Sequence, residues 1–125
     1  MLNPEKSTSL VQTLVDKAVK AGATSADALC ISSRTREVSV RLGQLEDVQS
    51  SDGGEIGLRV FVGQRNASVS SSDLTEESFD TLVDRALAMA KLAPEDKYAG
   101  LAPQDMLATD YPADLGVSDG QDPDP

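Results

Sequence analysis

The 125-residue sequence predicts an α+β domain. Two helices pack on one face of a mainly antiparallel or mixed sheet of four to five strands, in the order α-β-β-β-β-α. Three observations lead there. Apolar residues recur at helical spacing in two separate segments. Between them the period drops to two, the signature of strands. Gly- and Asp-rich clusters then cut the alternating region into short runs.

The first helix is expected over about residues 5–21. Asn3-Pro4-Glu5 supplies a capping side chain, a proline suited to the first turn and an acid at the positive end of the helix dipole. Leu10, Val11, Leu14, Val15, Ala18 and Val19 form one apolar stripe, and Gly22 stands where a left-handed cap ends a helix. From Ala26, the residues Ala28, Cys30 and Ser32 alternate with Asp27, Leu29 and Ile31, as in a strand packed on both sides. Arg34-Thr35-Arg36 is polar enough to bend or end it. Val38, Val40 and Leu42 share the next face. Gly43-Gln44 fits a two-residue type II′ loop that would pair Leu42 with Leu45 and Arg41 with Glu46.

Ser51-Asp52-Gly53-Gly54 reads as another turn, followed by the alternation Ile56, Leu58, Val60, Val62. Gly63-Gln64-Arg65-Asn66 turns again, and a strand of small residues returns from Ala67 to Ser71. The second helix starts at Thr75, with Glu76 and Glu77 in its first turn and Leu74 placed to staple onto Phe79. Its buried stripe is Phe79, Leu82, Val83, Ala86, Leu87 and Ala90, and Pro94 stops it. Residues 1–110 are expected to form the domain and 111–125 an acidic linker cut in mid-course.

Charge follows the same division. The net charge of −10 is concentrated from Ala93 onward, where eight acids face the single base Lys97. Met1 to Leu92 carries only −3. Without a basic patch, direct nucleic-acid binding is not expected. No apolar run approaches the roughly 20 residues of a membrane-spanning helix, and the N-terminus lacks the apolar region of a signal peptide. A single cysteine, Cys30, allows no intrachain disulfide and suits a reducing compartment. The chain is therefore read as cytoplasmic, without a membrane partner.

The sequence contains no histidine, so neither a Ser-His-Asp triad nor a His-ligated zinc site can be built from it. Cys30 has no imidazole partner and is read as structural. Gly53, Gly54 and Gly57 precede a strand and lack the Gly-Lys-Ser/Thr of a phosphate loop. Glu46-Asp47 splits across a strand, and Glu76-Glu77 is explained by the helix dipole. Asp119, Asp122 and Asp124 lack the glycine and distal glutamate of a calcium loop. No catalytic or metal residue is assigned. The remaining candidates are Ser68, Ser70 and Ser72, which share one side of a strand opposite Ala67, Val69 and Ser71. Either they form a wet edge, or their small size lets a partner or extended peptide approach the backbone.

Arg41-Leu-Gly-Gln-Leu-Glu-Asp-Val-Gln49, Asp52-Gly53, Gly57, Arg65, Ala67-Ser68 and Ser71-Ser72-Asp73-Leu74-Thr75 resemble the N-terminal domain of the TldD/PmbA proteins. The resemblance spans roughly Ser9 to Leu107, and the Ser-Ser-Asp-Leu-Thr start of the second helix is closer to the PmbA (TldE) branch. This family, described as modulators of DNA gyrase, comprises metal-dependent peptidases. Its His-Glu-x-x-x-His metal motif lies in the C-terminal domain of the TldD partner and has no counterpart here. The resemblance implies a non-catalytic N-terminal scaffold or interaction domain that holds no cofactor itself. A divalent metal such as zinc would belong to the C-terminal domain of the family complex. The implied partners are a TldD-like subunit or the protein's own C-terminal domain, together with an unfolded peptide substrate. The implied full-length form is a dimer. The rival reading is a standalone protein- or peptide-binding module with a disordered acidic tail.

Overall fold

Asn3 begins the first helix as its chemistry suggests: its Oδ1 accepts the Lys6 N–H at 2.8 Å, satisfying one of the orphan donors of a helix start. Helix α1 runs Pro4–Lys20, and Gly22 leaves it at a φ of +118°. Strands β1 (Ser25–Arg41), β2 (Gln44–Val62) and β3 (Arg65–Ser71) follow. Helix α2 spans Glu76–Leu92, and a short 3₁₀ turn lies at Gln104–Met106. The computed structural model describes residues 2–112, 114–121 and 124. Of the linker expected over 111–125, Ala113, Asp122, Pro123 and Pro125 lie outside the described residues.

The strands form one antiparallel sheet in the order β1-β2-β3. Among the described residues there are thus three strands, where the sequence suggested four or five. The reason lies at the two segments read as breaks. Arg34-Thr35-Arg36 stays extended within β1, and Arg34 Nε donates to Asp52 Oδ1 on β2 at 2.9 Å. That pair holds the Asp52 carboxyl below its usual range, through the Arg34 hydrogen bond first and its charge second. Ser51-Asp52-Gly53-Gly54 is also strand, not turn. A Cβ on Gly54 would come within 3.0 Å of Leu74 Cδ1, so this glycine makes room for packing.

Cα packing gathers residues 1–35 and 51–101 into one compact unit. Its core is one-sided. Ile56, Leu58 and Val60 of β2 are buried with Leu10, Leu14 and Ala18 of α1 and with Phe79, Leu82, Val83, Ala86, Leu87 and Ala90 of α2. Helix α2 packs on β3 and against α1. The period-two strand and the two period-3.6 stripes thus meet in one apolar layer. Leu29 and Ile31, expected to be covered, point to the other side and are 63% and 51% exposed. β1 is therefore packed on one face only, which corrects the two-sided reading: both helices lie on the other side of the sheet.

Local bonds fix the element ends. Thr24 N–H donates to Phe61 O at 2.7 Å, and Gly63 N–H donates to Thr24 Oγ1 at 3.0 Å. Gly63 takes a φ of +60° in the two-residue β2–β3 turn, and Val62 faces Arg65 across it. Arg65 Nη1 donates to Ala93 O at 2.5 Å, placing a cation on the negative end of α2. Thr75 stands at the N-cap of α2 but makes no cap bond. Its hydroxyl donates to Asp73 Oδ1 at 2.7 Å, and its N–H donates to the same oxygen at 3.0 Å. These two bonds hold the Asp73 carboxyl below its ordinary value.

Residues 36–50 and 102–125 make the second unit. Here the β1–β2 turn is Leu42-Gly43, one residue earlier than the sequence suggested. Both residues have positive φ (53° and 74°), as in a type I′ turn, which suits the right-handed twist of a hairpin better than the geometry expected for Gly43-Gln44. Leu42 accepts a conformation that costs a non-glycine residue about 1–2 kcal/mol. Arg41 still reaches Glu46, with Nη1 and Oε1 3.4 Å apart.

The one-sided core makes a paired prediction. Val83, 2% exposed, is enclosed in the helix–sheet layer, whereas Ser70 is exposed. Val83→Asp buries an unpaired carboxylate, at a cost of several kcal/mol against the about 5–15 kcal/mol that stabilises a domain. Thermal unfolding is expected to find Val83→Asp unfolded at room temperature and Ser70→Asp within a few degrees of the parent.

Candidate functional site

Because the helices cover one face, the other face of the sheet is left open, and a groove of about 660 Å³ crosses it. β1 contributes Asp27 and Leu29, β2 contributes Gly57 and Arg59, and β3 contributes Ser68 and Ser70. The register explains the grouping. Ser70 stands directly opposite Gly57, and Ser68 opposite Arg59. With no side chain at Gly57 and short hydroxyls beside it, the floor is backbone. Leu29 forms an apolar wall on the β1 side.

At one end of the groove, Arg59 clamps Asp27 with two bonds, Nε to Oδ1 at 2.9 Å and Nη2 to Oδ2 at 2.5 Å. The bidentate carboxylate raises the Arg59 guanidinium above its ordinary pKa, outweighing the opposing effect of burial. The same guanidinium lies 5.2 Å from the Phe61 ring centroid, a cation–π distance. Both partners of the ion pair are 46% exposed, so water screens it, and its main effect is to orient two side chains. A second cleft, of about 440 Å³, lies at the start of α2 and is lined by Asp73, Thr75, Ser78, Thr81 and Arg85, among others.

Of the three serines singled out by sequence, Ser68 and Ser70 come together in the groove. Ser72 is exposed just beyond the end of β3 and does not line it. Sequence reasoning missed Asp27, Leu29, Gly57 and Arg59 as neighbours of those serines. The i, i+2 spacing of Asp27 with Leu29 and of Gly57 with Arg59 signals a shared face within each strand. It carries no information about which strands lie side by side.

Chemically, the groove offers hydroxyls, backbone and one apolar wall. Its only carboxylate is already held by Arg59. Among the described residues no group of three or more His, Cys, Asp or Glu side chains gathers closely enough to hold a metal ion. The residues present do not fit a hydrolytic zinc site, which takes about three protein ligands with one position open for water. No helix among the described residues is long and apolar enough to cross a membrane.

Fold and site define an α+β domain of two helices on a three-stranded antiparallel sheet, with an open groove on the uncovered face. The chain belongs to the PmbA/TldD family as its N-terminal domain: the family model described as PmbA/TldA metallopeptidase domain 1 matches residues 26–90. A Haemophilus influenzae protein named metalloprotease PmbA homolog is 39% identical over 98 residues, covering 78% of this chain and 22% of that protein. Metalloprotease PmbA of Escherichia coli O157:H7 is 36% identical over 75 residues, covering 60% and 17% respectively. The chain thus spans about a fifth of the length of these relatives. Among solved structures, a Bacteroides thetaiotaomicron protein provisionally described as a modulator of DNA gyrase superposes with a TM-score of 0.80 at 23% identity. The match covers 92% of this chain and 26% of that one. TldE from Thermococcus kodakarensis gives a TM-score of 0.66 at 20% identity, covering 75% and 21%. At these identities the two structures support the fold alone.

Gly57 provides a test of whether the groove floor is an internal requirement. Its φ is not in the left-handed region, and an added Cβ would meet nothing nearer than Leu29 O and Val69 O, each at 4.0 Å. Glycine in mid-strand costs about 0.5–1 kcal/mol relative to alanine. Gly57→Ala is therefore expected to stabilise the chain by about that amount in urea unfolding. Destabilisation would mean that the fold itself demands this glycine.

Proposed function

We propose that this domain is a non-catalytic scaffold and interaction module of a PmbA/TldD-type metal-dependent peptidase, and that the open sheet face is its working surface. The observation that carries this reading is the groove over Gly57, flanked by Ser68 and Ser70, on the face the helices leave uncovered. A backbone floor with small neighbours lets an extended chain or a partner domain approach closely, as strand- and sheet-packing recognition requires. The partner is a TldD-like subunit or a C-terminal domain of the same protein, and the substrate an unfolded peptide in the cytoplasm. Hydrolysis belongs to a divalent metal such as zinc, held by residues other than these.

The test uses the full-length family complex that carries this domain. Ser68→Trp and Ser70→Trp fill the groove at exposed positions, so each isolated chain is expected to keep its melting temperature within a few degrees. In the reconstituted complex, each is expected to reduce assembly or peptide turnover at least about tenfold, a loss of about 1.4 kcal/mol. Wild-type turnover from a folded, assembled tryptophan variant would show that the serine face is only solvated surface.

A further inference from the structure

The fork between Arg59 and Asp27 does not use up either group. Nε donates to Oδ1 and Nη2 to Oδ2, while Arg59 Nη1 makes no hydrogen bond among the described residues. Each Asp27 oxygen keeps acceptor capacity beyond the one bond it receives. A donor and an acceptor therefore stand side by side on the groove, 2.5 Å apart at Nη2 and Oδ2, on side chains that are 46% exposed. The pair is also fixed in place. Phe61 follows Arg59 by two residues on the face the helices leave uncovered, yet it is only 3% exposed, and the guanidinium lies 5.2 Å from its ring centroid. A side chain held by a fork on one flank and a ring beneath loses little freedom when a ligand arrives.

The chemistry of this pair selects its ligand. A carboxylate would gain Arg59 but meet the like charge of Asp27, and an ammonium would gain Asp27 but meet Arg59. The rest of the groove lining, from Ala28 and Leu29 to Gly57 and the two serines, adds no charge. One residue of an extended chain satisfies both partners at once. Its N–H and C=O point to the same side, as in the hydrogen-bonded pairs of an antiparallel ladder.

We propose that the Asp27–Arg59 pair reads the main chain of an extended peptide, Asp27 accepting the N–H of one peptide residue and Arg59 donating to the C=O of the same residue. The inference rests on the groove reading above and assigns that groove its recognition group. Ser68, directly opposite Arg59, stands beside the contact with a hydroxyl that can donate and accept. Gly57 lies two residues back along β2, about 7 Å away, so a neighbouring stretch of the peptide passes over the backbone floor. Recognition of this kind is indifferent to peptide side chains. It discriminates against folded proteins, whose main-chain groups are already paired.

Backbone NMR titration of the 125-residue chain tests this with two probes. One is a short capped peptide of alanine and serine, and the other is the same peptide with every amide N-methylated, which removes the donors. The parent is expected to bind the methylated probe about tenfold more weakly, the loss of one hydrogen bond to a charged group. Asp27→Ala combined with Arg59→Met keeps an unbranched stem over Phe61 and is expected to melt within a few degrees of the parent. That variant is expected to bind the plain peptide about tenfold more weakly, with no further loss on methylation. Such non-additivity separates recognition from the bulk of the added methyls, which acts on both chains. Asp27→Asn preserves the shape of the pair and is expected to shrink the methylation penalty as well. An equal penalty in the parent and in both variants overturns the proposal while leaving the groove reading intact. Plain peptide that shifts no groove resonance, or that binds a Ser70→Trp chain as well as the parent, overturns it by removing the groove reading itself.

Discussion

Ile56, Leu58 and Val60 send their side chains to the same side of the central strand, and the rest of the domain follows from how that side is covered. Neither helix stripe could stay buried alone, since an amphipathic helix in water gains little without an apolar partner surface. Against β2 and β3, the α2 stripe and the α1 residues Leu10, Leu14 and Ala18 share one layer, which excludes water from Phe79 and Leu14 completely. The same arrangement commits the opposite face to solvent. With both helices spent on one side, Leu29, Ile31, Ser68 and Ser70 stay exposed on the other, where Arg59 is held by Asp27 and lies over the buried Phe61 ring.

That asymmetry connects fold to use. A sheet covered on both sides would offer only its edges and loops, whereas this one offers a face whose shape is set by strand register. Gly57 opposite Ser70 lowers the surface locally, and the Asp27–Arg59 clamp fixes one end of the depression without leaving a free charge there. Such a surface offers shape and backbone more than a particular functional group. In the proposed role, that suits contact with extended chains or a partner domain, with the chemistry performed elsewhere.

Much of this was legible in the sequence. Asn3-Pro4 and Thr75-Glu76-Glu77 marked both helix starts, the period of 3.6 marked both stripes, and the alternation from Ile56 to Val62 gave the buried face of β2. Three features misled, each for a physical reason. Ser51-Asp52-Gly53-Gly54 has turn composition, yet it is held straight by the Arg34–Asp52 bond and by Leu74 packing over Gly54, contacts made by residues distant in sequence. Leu42-Gly43 forms the hairpin turn because strand twist favours two positive φ values even where one falls on leucine. Leu29 and Ile31 are apolar and mid-strand, which reads as double-sided burial, but the sequence does not say on which side the helices will lie. Cross-strand neighbours such as Ser70 and Gly57 were illegible for the same reason: register is a property of pairs.

The central claim is that the uncovered face is the docking surface. Backbone NMR on the isotope-labelled chain, titrated with an unfolded polypeptide such as reduced carboxymethylated lactalbumin, tests it most directly. The account predicts saturable shift changes concentrated at Asp27, Leu29, Gly57, Arg59, Ser68 and Ser70, with the solvent side of α1 and α2 unaffected. Shift changes confined to the helices, or none at saturating polypeptide, would contradict it.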